Sequence, residues 1–186
     1  MKKIIYTAVA TMLFAFILTG CSEAPLEGET IETTVVSMTV PEDSKNLIDS
    51  DSLQAYTFSE DGYSVALFLA CVEGTPSSVS TFTDNDYQTF VAEEKLEIQS
   101  AFSSNDKLSN GTIEIPDTYE KIKIDGQDAI KISATIKGEE ATGFITMYIT
   151  GNDSDSVLIY FLTQTDTANA SLPNVINQMI NTVKYK

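Results

Sequence analysis

The chain predicts an α+β domain, and three observations carry that expectation. Short β-branched strands alternate with Asp-Gly steps, two segments repeat apolar residues at helical spacing, and one strand is apolar on both of its sides. The same reading divides the chain into a leader (residues 1–20), a tether (21–33) and one domain (34–186).

The leader opens on Lys2 and Lys3, continues as the apolar run Ile4 to Leu18, and closes on Leu18, Thr19, Gly20 and Cys21. This run of fifteen residues, interrupted by Thr7 and Thr11, falls short of the ~20 that span a bilayer as a helix. The small-residue ending with a cysteine resembles the lipobox of bacterial lipoproteins. That resemblance implies removal of the leader and acylation of Cys21, including palmitate, so that the chain is anchored on the extracytoplasmic side of a bacterial membrane. Two or more acyl chains make such attachment stable where one is marginal. Ser22 to Thr33 holds Pro25, Gly28 and four glutamates with few apolar residues, and reads as a flexible acidic tether. Twelve such residues reach at most ~40 Å.

The domain is expected to begin with the β-branched strand Thr34 to Val40, stopped by Pro41. Ser44 to Leu53 is polar and reads as a short helical turn or a loop. Tyr56 to Phe58 and Tyr63 to Val72 flank Asp61-Gly62, a hairpin signal. In the second strand Val65, Leu67, Leu69 and Cys71 alternate with Ala66, Phe68, Ala70 and Val72, which implies a layer on each side.

Asp84 to Ser103 shifts to helical period, with Tyr87, Phe90, Val91, Ile98, Ala101 and Phe102 on one stripe. Asp84, Asn85 and Asp86 are the expected caps. Thr112 to Ile115, Tyr119 to Ile124 and Ala129 to Ile136 follow as strands, the last two joined across Asp125-Gly126. Phe144 to Thr150 and Val157 to Thr163 form a further pair across Gly151 to Ser156. A closing helix carries the stripe Leu172, Val175, Ile176, Met179, Ile180 and Val183, with Pro173 in its first turn.

Taken together, Val35 to Pro41, Tyr63 to Glu73, the helix around Tyr87 to Phe102, the run Ile124 to Ala129 and the terminal Ile176 to Lys184 resemble the PsbP-like family. That resemblance implies an α/β/α sandwich with a central antiparallel sheet of about six or seven strands and two main helices. The family spans photosystem subunits, a nuclear-import factor that binds a small GTPase, and bacterial lipoproteins, so it assigns no function by itself. The histidines linked to metals in its photosynthetic branch have no counterpart here, and no functional residue carries over.

Composition narrows the chemistry. Subtracting the two leader lysines from eleven leaves nine against 27 acids, a formal charge of −18 for residues 21–186. Such a chain is repelled by nucleic acid and by anionic lipid. It contains no His, no Arg and no Trp. A Ser/His/Asp or Cys/His nucleophile, a His-ligated zinc and a bidentate Arg clamp are therefore ruled out. With Cys21 acylated, Cys71 has no partner for a disulfide and reads as a small buried hydrophobe.

The remaining polar features are acidic. Asn152, Asp153 and Asp155, with Ser154 and Ser156 between them, offer oxygen side chains on a hairpin tip, the type that holds calcium. The EF-hand spacing fails, with Thr163 where a Glu belongs, and the same residues are ordinary turn formers. Asp49 with Asp51 and Asp84 with Asp86 are further acidic pairs, and a carboxylate-only hydrolase would need one such pair at a set separation. Lys121, Lys123, Lys131 and Lys137 gather on one hairpin and read as charge balance. The sequence thus points to a non-enzymatic, membrane-anchored binding or accessory domain for an unknown envelope partner. It needs no cofactor, with calcium-dependent binding as the alternative and a carboxylate hydrolase below it.

Overall fold

A computed structural model describes residues 26–75, 77, 79–102 and 105–186, and of 93–101 the backbone alone. The leader and Cys21 lie outside the described residues. The fold is α+β. An eight-stranded antiparallel sheet is backed on one face by a three-stranded sheet and a short helix, and partly covered on the other by a long helix.

The small sheet comes first. Strands β1 (Gly28–Glu32) and β2 (Val36–Pro41) pair antiparallel, and β2 later receives β11 (Lys184–Tyr185) on its other side. The tether expected over residues 21–33 is thereby shortened, because Gly28 to Glu32 is a strand in register with Ser37 to Pro41. Its glutamates face water while Ile31, 4% exposed, anchors it in the core. One buried side chain and a ladder of backbone bonds outweigh an acidic composition.

The main sheet is built from β3 (Lys45–Asp49), β4 (Leu53–Glu60), β5 (Tyr63–Val72), β6 (Thr112–Glu114), β7 (Glu120–Ile124), β8 (Gln127–Lys137), β9 (Thr142–Gly151) and β10 (Ser156–Thr165). Its order is β3-β4-β5-β10-β9-β8, with β6 and β7 sharing the outer edge of β8. The main sheet therefore has eight strands where six or seven were expected. The addition is β3, in the stretch expected as a helical turn or loop. Every residue of β3 is exposed and its register breaks at a bulge between Asn46 and Ile48, so no alternation marks it in sequence.

Both Asp-Gly steps make the hairpins they signal. Asp61 (φ 48°) with Gly62 (φ 81°), and Asp125 (φ 48°) with Gly126 (φ 84°), place two consecutive residues at positive φ. This is the two-residue type I′ turn, whose twist matches that of the strands it joins.

Helix α1 (Asp84–Ala101) crosses β8 and β9. Its N-terminus is capped by a reciprocal pair rather than by Asp84 or Asn85. Thr83 Oγ1 accepts from the Asp86 amide at 3.3 Å, and an Asp86 carboxylate oxygen accepts from the Thr83 amide at 2.8 Å and from its hydroxyl at 2.7 Å. These bonds satisfy otherwise orphaned donors and hold the Asp86 carboxyl below its ordinary range. Tyr87 is buried with Ile130 and Ile132, and Phe90 and Val91 pack beside it. Phe102 sits against Gly143 and is buried with Ala134, Ile136 and Ile145.

Helix α2 (Asn174–Asn181) follows Pro173, which stands as its N-cap rather than within its first turn. Val175, Ile176, Met179 and Ile180 seal the opposite face of the sheet. Thr182 closes it, its hydroxyl donating to the Met179 carbonyl at 2.7 Å and accepting from the Thr39 amide at 2.8 Å. Eight residues are too few to be stable as an isolated helix, so burial of this stripe is what holds α2.

Candidate functional site

The two faces of β5 have different fates. Val65, Leu67, Leu69 and Cys71 enter the core beneath β2 and α2. On the other side Phe68 is 37% and Val72 54% exposed, and Leu158 on the neighbouring β10 is 37% exposed. The expectation that both sides of this strand are covered is thus corrected for its second side. Among the described residues α1 packs on β8 and β9, Phe102 directly after it joins Tyr160 and Leu162 of β10, and no described element covers β4 and β5 on this side. These exposed apolar residues stand together on two adjacent strands.

This open half-face is built by register. Ala55 stands opposite Phe68, Leu53 opposite Ala70, and Leu158 opposite Ala70 from the other side, so small residues flank larger ones. The Phe68 and Tyr160 rings lie 6.1 Å apart at 60°, a tilted pair that marks the border with the covered half. On the outer strand β3, Ile48 shares the face and is 41% exposed, and Leu47, at the bulge, is 59% exposed. Towards the β4–β5 turn the face deepens into a groove of about 550 Å³ lined by Lys45, Asp43, Ser64, Ala66 and Leu162, among others.

Its electrostatics differ from those of the surface around it. From Leu53 to Ser59, Ser64 to Val72 and Ser156 to Gln164, no residue at the alternate positions that share this face carries a carboxylate. Carboxylates gather instead beyond the strand ends, with Asp51, Glu73 and Asp153 at one end and Asp43 and Asp61 at the other, while Lys45, opposite Thr57, is the charge that the face itself carries at its groove end. The six ion pairs among the described residues all lie elsewhere. They engage Lys107, Lys123, Lys131, Lys137, Lys184 and Lys186, and none includes a carboxylate at these strand ends.

The residues expected to carry chemistry are placed as follows. Cys21 lies outside the described residues. Asn152 Oδ1 accepts from the amides of Ser154 and Asp155, both at 2.8 Å, and Asp155 Oδ1 accepts from the Gly74 amide at 3.1 Å. These oxygens shape a turn. Among the described residues no three His, Cys, Asp or Glu side chains converge in a way that could hold a metal ion.

Asp49 accepts from Gln54 Nε2 at 2.7 Å on the core side of β3, and does not converge with Asp51. Asp84 and Asp86 sit at the start of α1, where Asp86 caps. The lysine-rich hairpin balances charge, through Lys131 with Glu120 at 3.0 Å, Lys123 with Asp128 at 2.8 Å and Lys137 with Glu114 at 2.7 Å, while Lys121 lies over the Tyr119 ring.

Cys71 is buried with its sulfur 2.9 Å from Thr33 Oγ1, and burial pushes its thiol above the ordinary value. Such a thiol is a poor nucleophile. Tyr148, fully enclosed, is pushed up to about 12 by desolvation and by the charge of Glu120. Neither lies on the open face.

No protein-family model matches the chain, and no curated protein matches it. Among solved structures, a Bacteroides thetaiotaomicron protein is similar in fold, with a TM-score of 0.51 at 13% identity over 87% of this chain. The chain spans about half of that structure, 49% of its length. A Mog1 point mutant aligns over 86% of this chain and 96% of its own at 11% identity, with a TM-score of 0.47.

Proposed function

We propose that this chain is a bacterial lipoprotein, anchored through acylated Cys21 on the extracytoplasmic side of a membrane. Its single PsbP-like domain serves there as a non-enzymatic binding or accessory module. The observation that carries the binding role is the open half-face, where Phe68, Val72 and Leu158 are held in water by strands that are otherwise well buried. Because each is already about half covered, leaving such side chains open forgoes about 0.5–1.5 kcal/mol for each that a covering layer would bury. A surface of this kind gains that free energy when a partner covers it. The leader layout and the lipobox-like ending support the anchor, and the absence of His and Arg removes the His-activated nucleophile and the Arg clamp from the chemistry available.

Two measurements test the reading together. Cys21→Ala is expected to move the chain out of the membrane fraction or to leave it as unprocessed precursor, and to abolish labelling by a palmitate analogue. Membrane retention at mature size with no label incorporated would refute the anchor. Affinity capture from envelope extract is expected to bring down a partner with the wild-type chain.

A further inference from the structure

We propose that the open half-face is the seat of a cationic amphipathic helix belonging to a partner protein; this rests on the binding role proposed above. Three observations converge on that occupant.

The first is shape. Three adjacent strands and the margin of β3 span roughly 14 Å across and about 27 Å along β4, which matches one helix about 10–12 Å thick and some five turns long. Helix α1 already occupies the equivalent slot over β8 and β9, so a second helix beside it would complete that layer.

The second is the apolar character of the floor. Phe68, Val72 and Leu158 stand out from small residues such as Ala66 and Ala70, giving knobs and hollows that suit an apolar stripe repeating at i, i+3 and i+4.

The third is charge. The floor holds no carboxylate and one cation, Lys45 beside Asp43 at the groove end, and carboxylates beyond both ends of its strands join none of the ion pairs among the described residues, so a basic helix is best met at the ends and not over Lys45. A helix with lysine or arginine flanking its apolar stripe would set its greasy face on the floor and its charges against that acidic rim. This is the ordinary division of an interface into apolar core and polar rim. A second copy of this chain would instead bring a like acidic rim against the first, which is repulsive.

The test uses two designed peptides of about 18 residues with one shared Leu/Phe stripe, flanked by lysine in one and by glutamate in the other. Binding is read by fluorescence anisotropy on the full chain as cells process it, held in zwitterionic nanodiscs, with empty nanodiscs subtracted. The lysine peptide is expected to bind at least about tenfold more tightly than the glutamate peptide, and to weaken several-fold as salt shortens electrostatic reach.

Phe68→Ser with Leu158→Ser removes the floor while leaving every charge, and is expected to abolish that binding. Asp43→Lys with Glu73→Lys changes only exposed rim residues, and is expected to shrink or invert the preference even if the serine variant fails to fold. Equal affinity for both peptides, no binding of either, or a lysine-peptide affinity that survives loss of the floor in a folded variant overturns the proposal. So does a dimer, seen by sedimentation, that disappears in Phe68→Ser. If wild type and floor variant capture the same envelope protein, the binding role stands while this site falls. If neither peptide nor envelope protein binds the wild type, both fall.

Discussion

Gly143→Ala tests how α1 is fastened to the sheet. A Cβ at this position would stand 2.6 Å from Cε1, 2.9 Å from Cζ and 3.1 Å from Cδ1 of Phe102. Carbon atoms prefer separations near 3.5–4.0 Å, so ring and strand must part by about 1 Å. Neither yields readily. Strand β9 is pinned between β8 and β10, and the ring is 2% exposed among Leu108, Ile136 and Ile145. Overpacking of this kind costs ~1–3 kcal/mol. Replacing a strand glycine by alanine returns ~0.5–1 kcal/mol through reduced chain entropy. The net expectation is a loss of about 1–2 kcal/mol, read as a fall of roughly 2–8 °C in Tm for a domain of this size.

Urea melts followed by circular dichroism give the free energy directly. The same melts on Phe102→Leu, alone and with Gly143→Ala, complete a double-mutant cycle. The smaller side chain is expected to relieve the clash, so that Gly143→Ala costs less in the Phe102→Leu background. An alanine variant as stable as wild type, with no coupling between the two changes, would refute this contact.

Three further outcomes follow from the packing and charges described. Met179→Ala, at a fully buried position of a helix that depends on its apolar stripe, is expected to cost ~2–5 kcal/mol in the same melts. Lys184 holds the Asp125 carboxyl below its ordinary value of 3.8, aided by the Tyr185 amide. A depressed carboxyl stabilises the fold above that value and stops doing so as pH falls through the folded-state pKa, so Asp125→Asn is expected to flatten the acid limb of stability and to speed amide exchange at Tyr185. A burial-raised thiol stabilises below its ordinary value of 9.0 and loses that contribution as pH rises. Cys71 is accordingly expected to resist thiol reagents until urea unfolds the chain, and labelling of the native protein at the unfolded rate would contradict its placement.

Most of the fold was legible because local chemistry and tertiary packing agree. Asp61-Gly62 and Asp125-Gly126 announced their turns, β-branched runs announced β8, β9 and β10, and the stripe from Val175 to Ile180 announced α2. Where the two disagree the signal faded. Strand β1 is acidic and held mainly by Ile31, while β3 is a bulged edge strand with no buried residue, so neither carries an alternating pattern.

The open half-face was hidden for the opposite reason. An apolar residue awaiting a partner has the same sequence signature as one already covered, and Phe68 and Val72 therefore read as core. The clue was one of supply: among the described residues one long helix, α1, stands against that whole side of an eight-stranded sheet. The capping of α1 was likewise half visible, since Asp86 stood out as an acid of the first turn while its partner Thr83 did not.

The small sheet also sets which way the molecule looks. Strands β1 and β11 flank β2, and Lys186 bonds both the Glu32 carboxylate at 2.8 Å and the Thr33 carbonyl at 2.7 Å, so both ends of the fold are fastened into the layer behind the main sheet. The chain enters the fold at that rear layer through β1, with six residues lying between Cys21 and its start in sequence, a span of ~25 Å at most. Phe68 and Leu158 lie on the opposite face of the main sheet from that entry point, so a chain tied through the proposed anchor would be held from the side that leaves the open half-face clear.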